Sequence, residues 1–214
     1  MKVFVVILFC FNGVAGLCQR DIKAVQLSHY ILDSFTRGKV QLKSGKLYEQ
    51  LLNYNVLTNE MVFRDGNRYL AIADPAGVDT IFINGRKFIF VNKKFYELLT
   101  GTNNPLFIEY TGKIEEPPVS VGYGNASPTT NTTSYTSLVG SGAVYDIKLP
   151  DDFKVTPGYN YWIRINDKYE KVNTDKQLAK VFPDKKDVIK EFIKANNISF
   201  SKKEDVIRLV QHLH

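Results

Sequence analysis

The fold is decided by residues 37–91, RGKVQLKSGKLYEQLLNYNVLTNEMVFRDGNRYLAIADPAGVDTIFINGRKFIFV. Short apolar runs alternate here with glycine turns at 43–46 (KSGK), 64–67 (RDGN) and 83–86 (INGR). Asp-Gly and Asn-Gly pairs accept the positive φ angles that tight hairpin turns require. The stretch therefore predicts a ladder of β-hairpins.

Hairpins joined by short turns favour an antiparallel meander, because parallel strands need long crossover connections. Residues 21–34 precede the ladder and are mixed in character, which indicates an irregular or short helical lead-in. Further strands are predicted at 106–110 and 143–149, and a last hairpin at 159–172. We therefore predict an antiparallel β domain over residues 19–172.

Residues 173–214 change to a helical period, and N-cap residues mark where each helix starts. The expected caps are Thr174 with Gln177, Asp184 after Pro183, and Ser201 with Glu204. Asn196-Asn197 is expected to close the second helix. The apolar positions of the three helices are Leu178, Val181 and Phe182, then Val188, Ile189, Phe192 and Ile193, then Val206, Ile207, Leu209, Val210 and Leu213. Those of the second helix are predicted to be buried on one face. The predicted fold class is α+β, an antiparallel β-sheet domain followed by a helical tail of about three helices.

Residues 117–145 contain no charged side chain and are dominated by Pro, Gly, Ser, Thr and Asn. Such a composition buries too little apolar surface to offset the entropy of ordering, so we predict a mobile loop near 117–142. Tyr123 and Tyr135 are its candidate binding residues, because tyrosines among small polar residues suit adaptable contacts. The interpretation we favour is an insertion without a binding role.

The N-terminus, residues 1–18, has one lysine, an apolar run and small residues, which is the layout of a secretory signal peptide. The apolar run is shorter than the roughly 20 residues that span a bilayer. We predict cleavage between Cys18 and Gln19, with cleavage after Gly16 as an alternative. Lipid attachment at Cys18 is a further alternative, which Leu17 disfavours because lipoproteins normally carry a small residue at that position.

Both cysteines, Cys10 and Cys18, lie in the predicted signal peptide, so the mature chain is expected to lack a thiol. No later stretch is apolar enough to span a membrane, and we expect no transmembrane segment in the mature chain. The predicted location is the periplasm, the outer membrane surface or the medium. The expected partner is an unidentified envelope component.

The formal net charge is +6, and the C-terminal part carries most of it. Residues 164–214 contain 12 basic and 8 acidic side chains, whereas 19–163 contain 15 and 14. Lys185 and Lys186 are the candidate residues for contact with an anionic partner. A solvated helix face explains the same pattern, and we favour that interpretation.

Catalytic and metal-binding patterns are missing from the sequence. The histidines are His29, His212 and His214, and the last two stand two apart, a poor ligand spacing on a helix. Adjacent carboxylates such as Glu115-Glu116 point to opposite faces of a strand, so they make poor acid–base pairs. We predict no catalytic residues, no metal, no cofactor and no nucleic-acid partner.

A family resemblance is carried by residues 52–63 (LNYNVLTNEMVF), 78–81 (VDTI), 85–88 (GRKF) and 182–197. In these stretches the chain resembles a group of uncharacterised exported proteins of Bacteroidetes-type bacteria. The resemblance implies export and brings no activity with it. In such bacteria Asp79-Thr80-Ile81 resembles a short O-glycosylation site, although an ordinary strand is the interpretation we favour.

These observations predict a non-enzymatic exported protein of the cell envelope with a binding or structural role. The alternative is an envelope enzyme with a dispersed polar site, acting on carbohydrate. A pocket that holds two or more converging carboxylates or a histidine would favour the enzyme, whereas a smooth sheet face with exposed aromatic residues would favour binding.

Overall fold

The computed structural model describes residues 29–101, 103–115, 119–121, 125–127 and 154–214. The predicted signal peptide, its cleavage site at Cys18 and Gln19, Tyr123, Tyr135 and the predicted strand 143–149 lie outside these residues. Of the predicted loop near 117–142, two short strands are described, and they pair with each other.

Within the described residues ten strands form one antiparallel sheet, which confirms the predicted antiparallel β-sheet fold. These strands are β1 Thr36–Leu42, β2 Leu47–Asn55, β3 Glu60–Asp65, β4 Arg68–Ala71, β5 Val78–Ile83, β6 Arg86–Val91, β7 Lys94–Leu98, β8 Leu106–Glu115, β11 Lys154–Ile165 and β12 Lys168–Lys171. Their order in the sheet is β12-β11-β8-β7-β6-β5-β1-β2-β3-β4. The separate pair consists of β9 Val119–Val121 and β10 Asn125–Ser127.

The three predicted turns join neighbouring strands and adopt the left-handed backbone that their sequences favour. Gly45, Gly66 and Gly85 have φ angles of +84°, +59° and +72°, and Asn84 has +49°. A side chain with a branched Cβ would be strained at these angles. The hairpin ladder thus follows directly from local turn chemistry.

One connection departs from a simple meander, because β1 lies between β2 and β5 in the sheet. After β4 at one edge the chain returns through residues 72–77 to start β5 beside β1. The Lys43 amide donates to the Gly77 carbonyl at 2.9 Å, which ties this return to the β1–β2 turn. The returning segment therefore runs past the end of β1.

The pairing of neighbouring strands shows which residues share each of the two faces of the sheet. One row of paired residues is Val40, Ile81, Phe88, Glu97, Ile108 and Tyr161; the row on the other face is Lys39, Phe82, Lys87, Leu98, Phe107 and Trp162. Paired residues of an antiparallel ladder share a face, and the next residue along each strand points to the opposite face.

The sheet curls toward the first of these faces, which we call the concave face. Tyr54 of β2 packs against two rings from strands that are not its neighbours, with centroid distances of 5.9 Å to Phe88 and 6.3 Å to Tyr110. A Cβ placed on Gly112 of β8 would lie 2.8 Å from side-chain atoms of Val56 and Leu57. Curling encloses the main apolar core, and we call the other face the outer face.

The segment before β1 is irregular and is held by a buried asparagine of β2. Tyr30 forms an isolated antiparallel bridge with Asn55, and regular pairing of β1 with β2 starts only at Thr36. Between these points the Asn53 amide donates to the Leu32 carbonyl at 2.8 Å, and its oxygen accepts from the Leu32 amide at 3.1 Å. The side chain thus replaces backbone pairing that the irregular segment cannot provide.

The chain ends in three helices, as predicted: α1 Asp175–Val181, α2 Lys186–Asn196 and α3 Lys203–His212. They pack on the β8–β11 part of the concave face. The shared core contains Leu106, Ile108, Tyr161 and Ile163 from the sheet and Leu178, Ile189, Val206, Leu209, Val210 and Leu213 from the tail. Asn197 closes α2 with a φ of +49°, as expected for a left-handed C-cap.

The structure corrects two of the three predicted helix starts. Thr174 caps α1 and accepts from the Gln177 amide at 3.2 Å. Asp184 does not cap α2, because a 3-10 turn over Pro183–Lys185 leads straight into that helix. Ser201 does not cap α3, which starts two residues later without a side-chain cap.

Val188 was predicted to be buried with the rest of the α2 stripe, and this was wrong. Its exposed fraction is 42%, whereas Ile189 is fully buried. Phe192 and Ile193 are half-buried, so the buried stripe centres on Ile189. At about 100° per residue Val188 falls beyond the edge of that stripe.

Candidate functional site

The two candidate lysines of the tail have different surroundings. Lys185 is half-buried, and its Nζ donates to the Leu213 carbonyl at the end of α3. Lys186 is the first residue of α2 and is exposed. Lys185 therefore holds a helix end, and the structure gives no shared ligand contact for this pair.

Two buried carboxylates, Glu97 and Glu109, lie on the adjacent strands β7 and β8, and the sequence did not single them out. Glu97 pairs directly with Ile108, so it lies on the concave face and Glu109 lies on the outer face. Sheet geometry separates the two carboxylates and prevents them from sharing a substrate.

Glu97 connects the sheet to the helical tail. The Tyr110 hydroxyl donates to its Oε2 at 2.5 Å, and burial together with the Glu97 charge raises the pKa of Tyr110, which keeps that phenol protonated. Arg86 of β6 and Lys203 of α3 each approach the carboxylate to 3.9 Å. These groups neutralise a charge that burial alone would make costly.

Glu109 is held on the outer face by three donors. Lys94 Nζ lies 2.6 Å from Oε1, while Trp162 Nε1 and Asn160 Nδ2 lie 2.9 Å and 3.2 Å from Oε2. Burial opposes ionisation, but these hydrogen bonds and the Lys94 charge outweigh it, so the pKa of Glu109 lies below its usual value. An ionised, fully bonded carboxylate of this kind is suited to holding strands together.

Neither carboxylate therefore supplies a general acid paired with a general base. Within the described ranges, no group of three His, Cys, Asp or Glu side chains is placed to hold a metal ion. The histidines are engaged in packing: the His212 ring stacks on Phe192 at 4.2 Å, and His29 is buried beside Tyr30 at 4.4 Å.

An apolar groove opens on the concave face at the end opposite the helices. It has a volume of about 230 Å³. Its lining consists of Val40, Leu42, Tyr48, Gln50, Leu52, Phe63, Ile72 and Ala73. None of these residues is acidic or basic, and the polar side-chain atoms in the lining are the Tyr48 hydroxyl and the Gln50 amide.

Strand pairing and the returning connection build the groove together. Val40 pairs with Tyr48, and Leu52 pairs with Phe63, which places these side chains side by side on the concave face. Ile72 and Ala73 come from the segment between β4 and β5. Tyr48 is 48% exposed, so the groove is open to solvent on its side.

Sequence reasoning missed this groove, although part of the pattern was visible. Val40 and Leu42 alternate with the polar Gln41 and Lys43, which is the period of a half-buried strand, and this strand lines the groove. Ile72 lines the groove because of the path that the β4–β5 connection takes. The local sequence pattern does not predict that path.

The lining of the groove is mostly apolar and contains no His, Cys, Asp, Glu, Lys or Arg side chain. Its volume lies below the roughly 300–1,000 Å³ typical of sites that enclose drug-sized ligands. A short, narrow apolar group fits such a space best.

In the described part of the chain no helix is long and apolar enough to cross a membrane. Comparisons of this chain with protein-family models, with curated proteins and with solved structures found no match.

Proposed function

We propose that this protein is a non-enzymatic exported binding protein of the cell envelope, and that the concave groove is its ligand site. The observation that carries the proposal is the groove of about 230 Å³ with its uncharged, mostly apolar lining. The occupant we propose is the hydrocarbon chain of a small amphiphile, with its polar head near Tyr48 and Gln50 at the open side.

The physical basis is the transfer of methylene groups from water to an apolar surface. Each buried methylene contributes about 0.8 kcal/mol, which corresponds to an affinity gain of up to about fourfold. Affinity for a homologous series should therefore rise with chain length and stop rising when the groove is full. A site based on polar recognition would lack this dependence.

Replacing Ala73 by tryptophan is expected to abolish binding, because the new ring would occupy the groove that Ala73 lines. Ala76 is exposed in the same connection but does not line the groove, so Ala76→Trp is the matched control. Calorimetric titration with hexyl, heptyl and octyl glucosides measures both variants. We expect at least a tenfold loss for Ala73→Trp and no loss for Ala76→Trp.

Equal affinity in the two variants, or affinity independent of chain length, would exclude the groove as the ligand site. Both substitutions are at exposed positions, so both variants are expected to fold. Melting curves verify this.

Export is the second component of the proposal, and the sequence supports it through the signal-peptide layout of residues 1–18. We expect the protein recovered after export from a bacterial host to begin at Gln19 and to lack a titratable thiol. Intact-mass measurement decides this. A chain that begins at Cys18 and carries a diacylglycerol would instead show a lipoprotein.

A further inference from the structure

The outer face of the sheet carries exposed large apolar side chains near the β1–β2 hairpin. Leu47 and Leu51 of β2 are 53% and 36% exposed, and Phe82 of β5 is 40% exposed. They share the outer face because Phe82 pairs with Lys39, Lys39 pairs with Glu49, and the two leucines flank Glu49 at two-residue spacing. Exposed apolar groups that cluster in this way mark interaction surfaces.

Basic side chains lie between these apolar groups. Arg37 pairs with Leu51, and Lys39 and Lys87 pair with Phe82 from either side. Lys87 Nζ lies 5.9 Å from the centre of the Phe82 ring. The acidic residue in the same rows is Glu49, which lies 3.7 Å from Lys39, and both of these side chains are 55% exposed. Positive charge is therefore in excess among the apolar groups.

The outer patch, defined as Arg37, Lys39, Leu47, Leu51, Phe82 and Lys87, extends over the four neighbouring strands β2, β1, β5 and β6. At roughly 4.8 Å between strands it is about 15 Å wide. The helices pack on the concave face, so they do not cover it. Apolar side chains interleaved with cations suit a partner whose outermost groups are anionic and lie directly over an apolar layer.

We propose that the outer patch docks on the surface of an anionic lipid bilayer. Phe82 and the leucines enter the boundary between headgroups and acyl chains, while Arg37, Lys39 and Lys87 contact the lipid phosphates. This peripheral contact is independent of the concave groove, which opens on the opposite side of the same strands.

Co-sedimentation with vesicles tests the proposal. The purified protein is expected to bind vesicles of phosphatidylglycerol and phosphatidylcholine, and to bind pure phosphatidylcholine much more weakly. The double variant Lys39→Gln/Lys87→Gln should bind the anionic vesicles roughly 30-fold more weakly, because each lysine near an anionic surface contributes about fivefold. Lys190→Gln/Lys194→Gln removes two exposed lysines of α2 and should bind as the wild type does.

Phe82→Ser separates a bilayer from a soluble polyanion. On a bilayer it should weaken binding and make the remainder more sensitive to salt, because charge contacts are screened within about 8 Å at physiological ionic strength. The proposal is overturned if the protein fails to bind anionic vesicles or if the two lysine variants lose affinity equally. It is also overturned if Phe82→Ser binds anionic vesicles as the wild type does, because contact through charge alone, as with a soluble polyanion, would then explain the binding. Melting curves verify that every variant is folded.

Discussion

Replacing Ile189 by alanine is expected to lower the free energy of unfolding by about 2–5 kcal/mol, the range for truncating a buried isoleucine. Ile189 is fully buried where α2 meets the core that the tail shares with the sheet. Removing three carbon atoms there loses apolar contact and leaves a cavity that tight packing closes only in part. Urea unfolding of the two proteins measures the difference.

The control lies at the neighbouring position of the same helix. Val188 is 42% exposed, so Val188→Ala should change stability by less than about 1 kcal/mol. Replacing the exposed Lys186 and Lys194 by glutamine should also have a small effect, because exposed charges contribute about 0–1 kcal/mol each. Equal losses at Val188 and Ile189 would show that α2 packs through a different face.

Replacing Asn53 by alanine is expected to lower the free energy of unfolding by about 2–6 kcal/mol, since it leaves the buried amide and carbonyl of Leu32 without their side-chain partner, at about 1–3 kcal/mol each. Asn53 is fully buried, and its amide bonds both the amide and the carbonyl of Leu32. It also donates to the Ser34 carbonyl at 3.3 Å. Hydrogen exchange of the Leu32 amide should quicken together with the fall in unfolding free energy.

Asn196→Ala is the matched control for the asparagine substitution. Asn196 is exposed and makes one side-chain bond, to the Phe192 carbonyl at 3.0 Å within its own helix. Its removal should change stability by less than about 1 kcal/mol, because water replaces the lost bond. If Asn53→Ala cost no more than this, the segment before β1 would be held by other contacts.

Predictions from the sequence were correct where the physical cause lies in the residue itself or in a neighbour a few positions away. They were wrong where adjoining segments changed the local structure. The turns at Gly45, Gly66 and Gly85 were predicted because a positive φ depends on the residue itself. The cap at Thr174 was predicted because its partner is three residues away. The caps at Asp184 and Ser201 were wrong because neighbouring turns shifted each helix start by one residue, to N-caps at Lys185 and Lys202.

Convergence of carboxylates was the feature expected to distinguish an enzyme from a binding protein. Whether carboxylates converge depends on where the tertiary structure places their side chains. Carboxylates that are adjacent in the sequence, such as Glu115-Glu116, were expected to make poor acid–base pairs. Two of the buried carboxylates, Glu97 and Glu109, stand twelve positions apart on paired strands. Register places them on opposite faces, and a shift of one residue in that register would have placed them together.

The sequence by itself determined the antiparallel hairpins and the helical tail, because glycine turns, alternation and helical spacing act over a few residues. The tertiary structure alone decided that β1 lies beside β5, that the sheet curls until Tyr54 meets Phe88 and Tyr110, and that Ile72 closes a groove. These contacts join residues far apart in the chain, and their free energy comes from burying apolar surface, which depends on the packing of all the strands together.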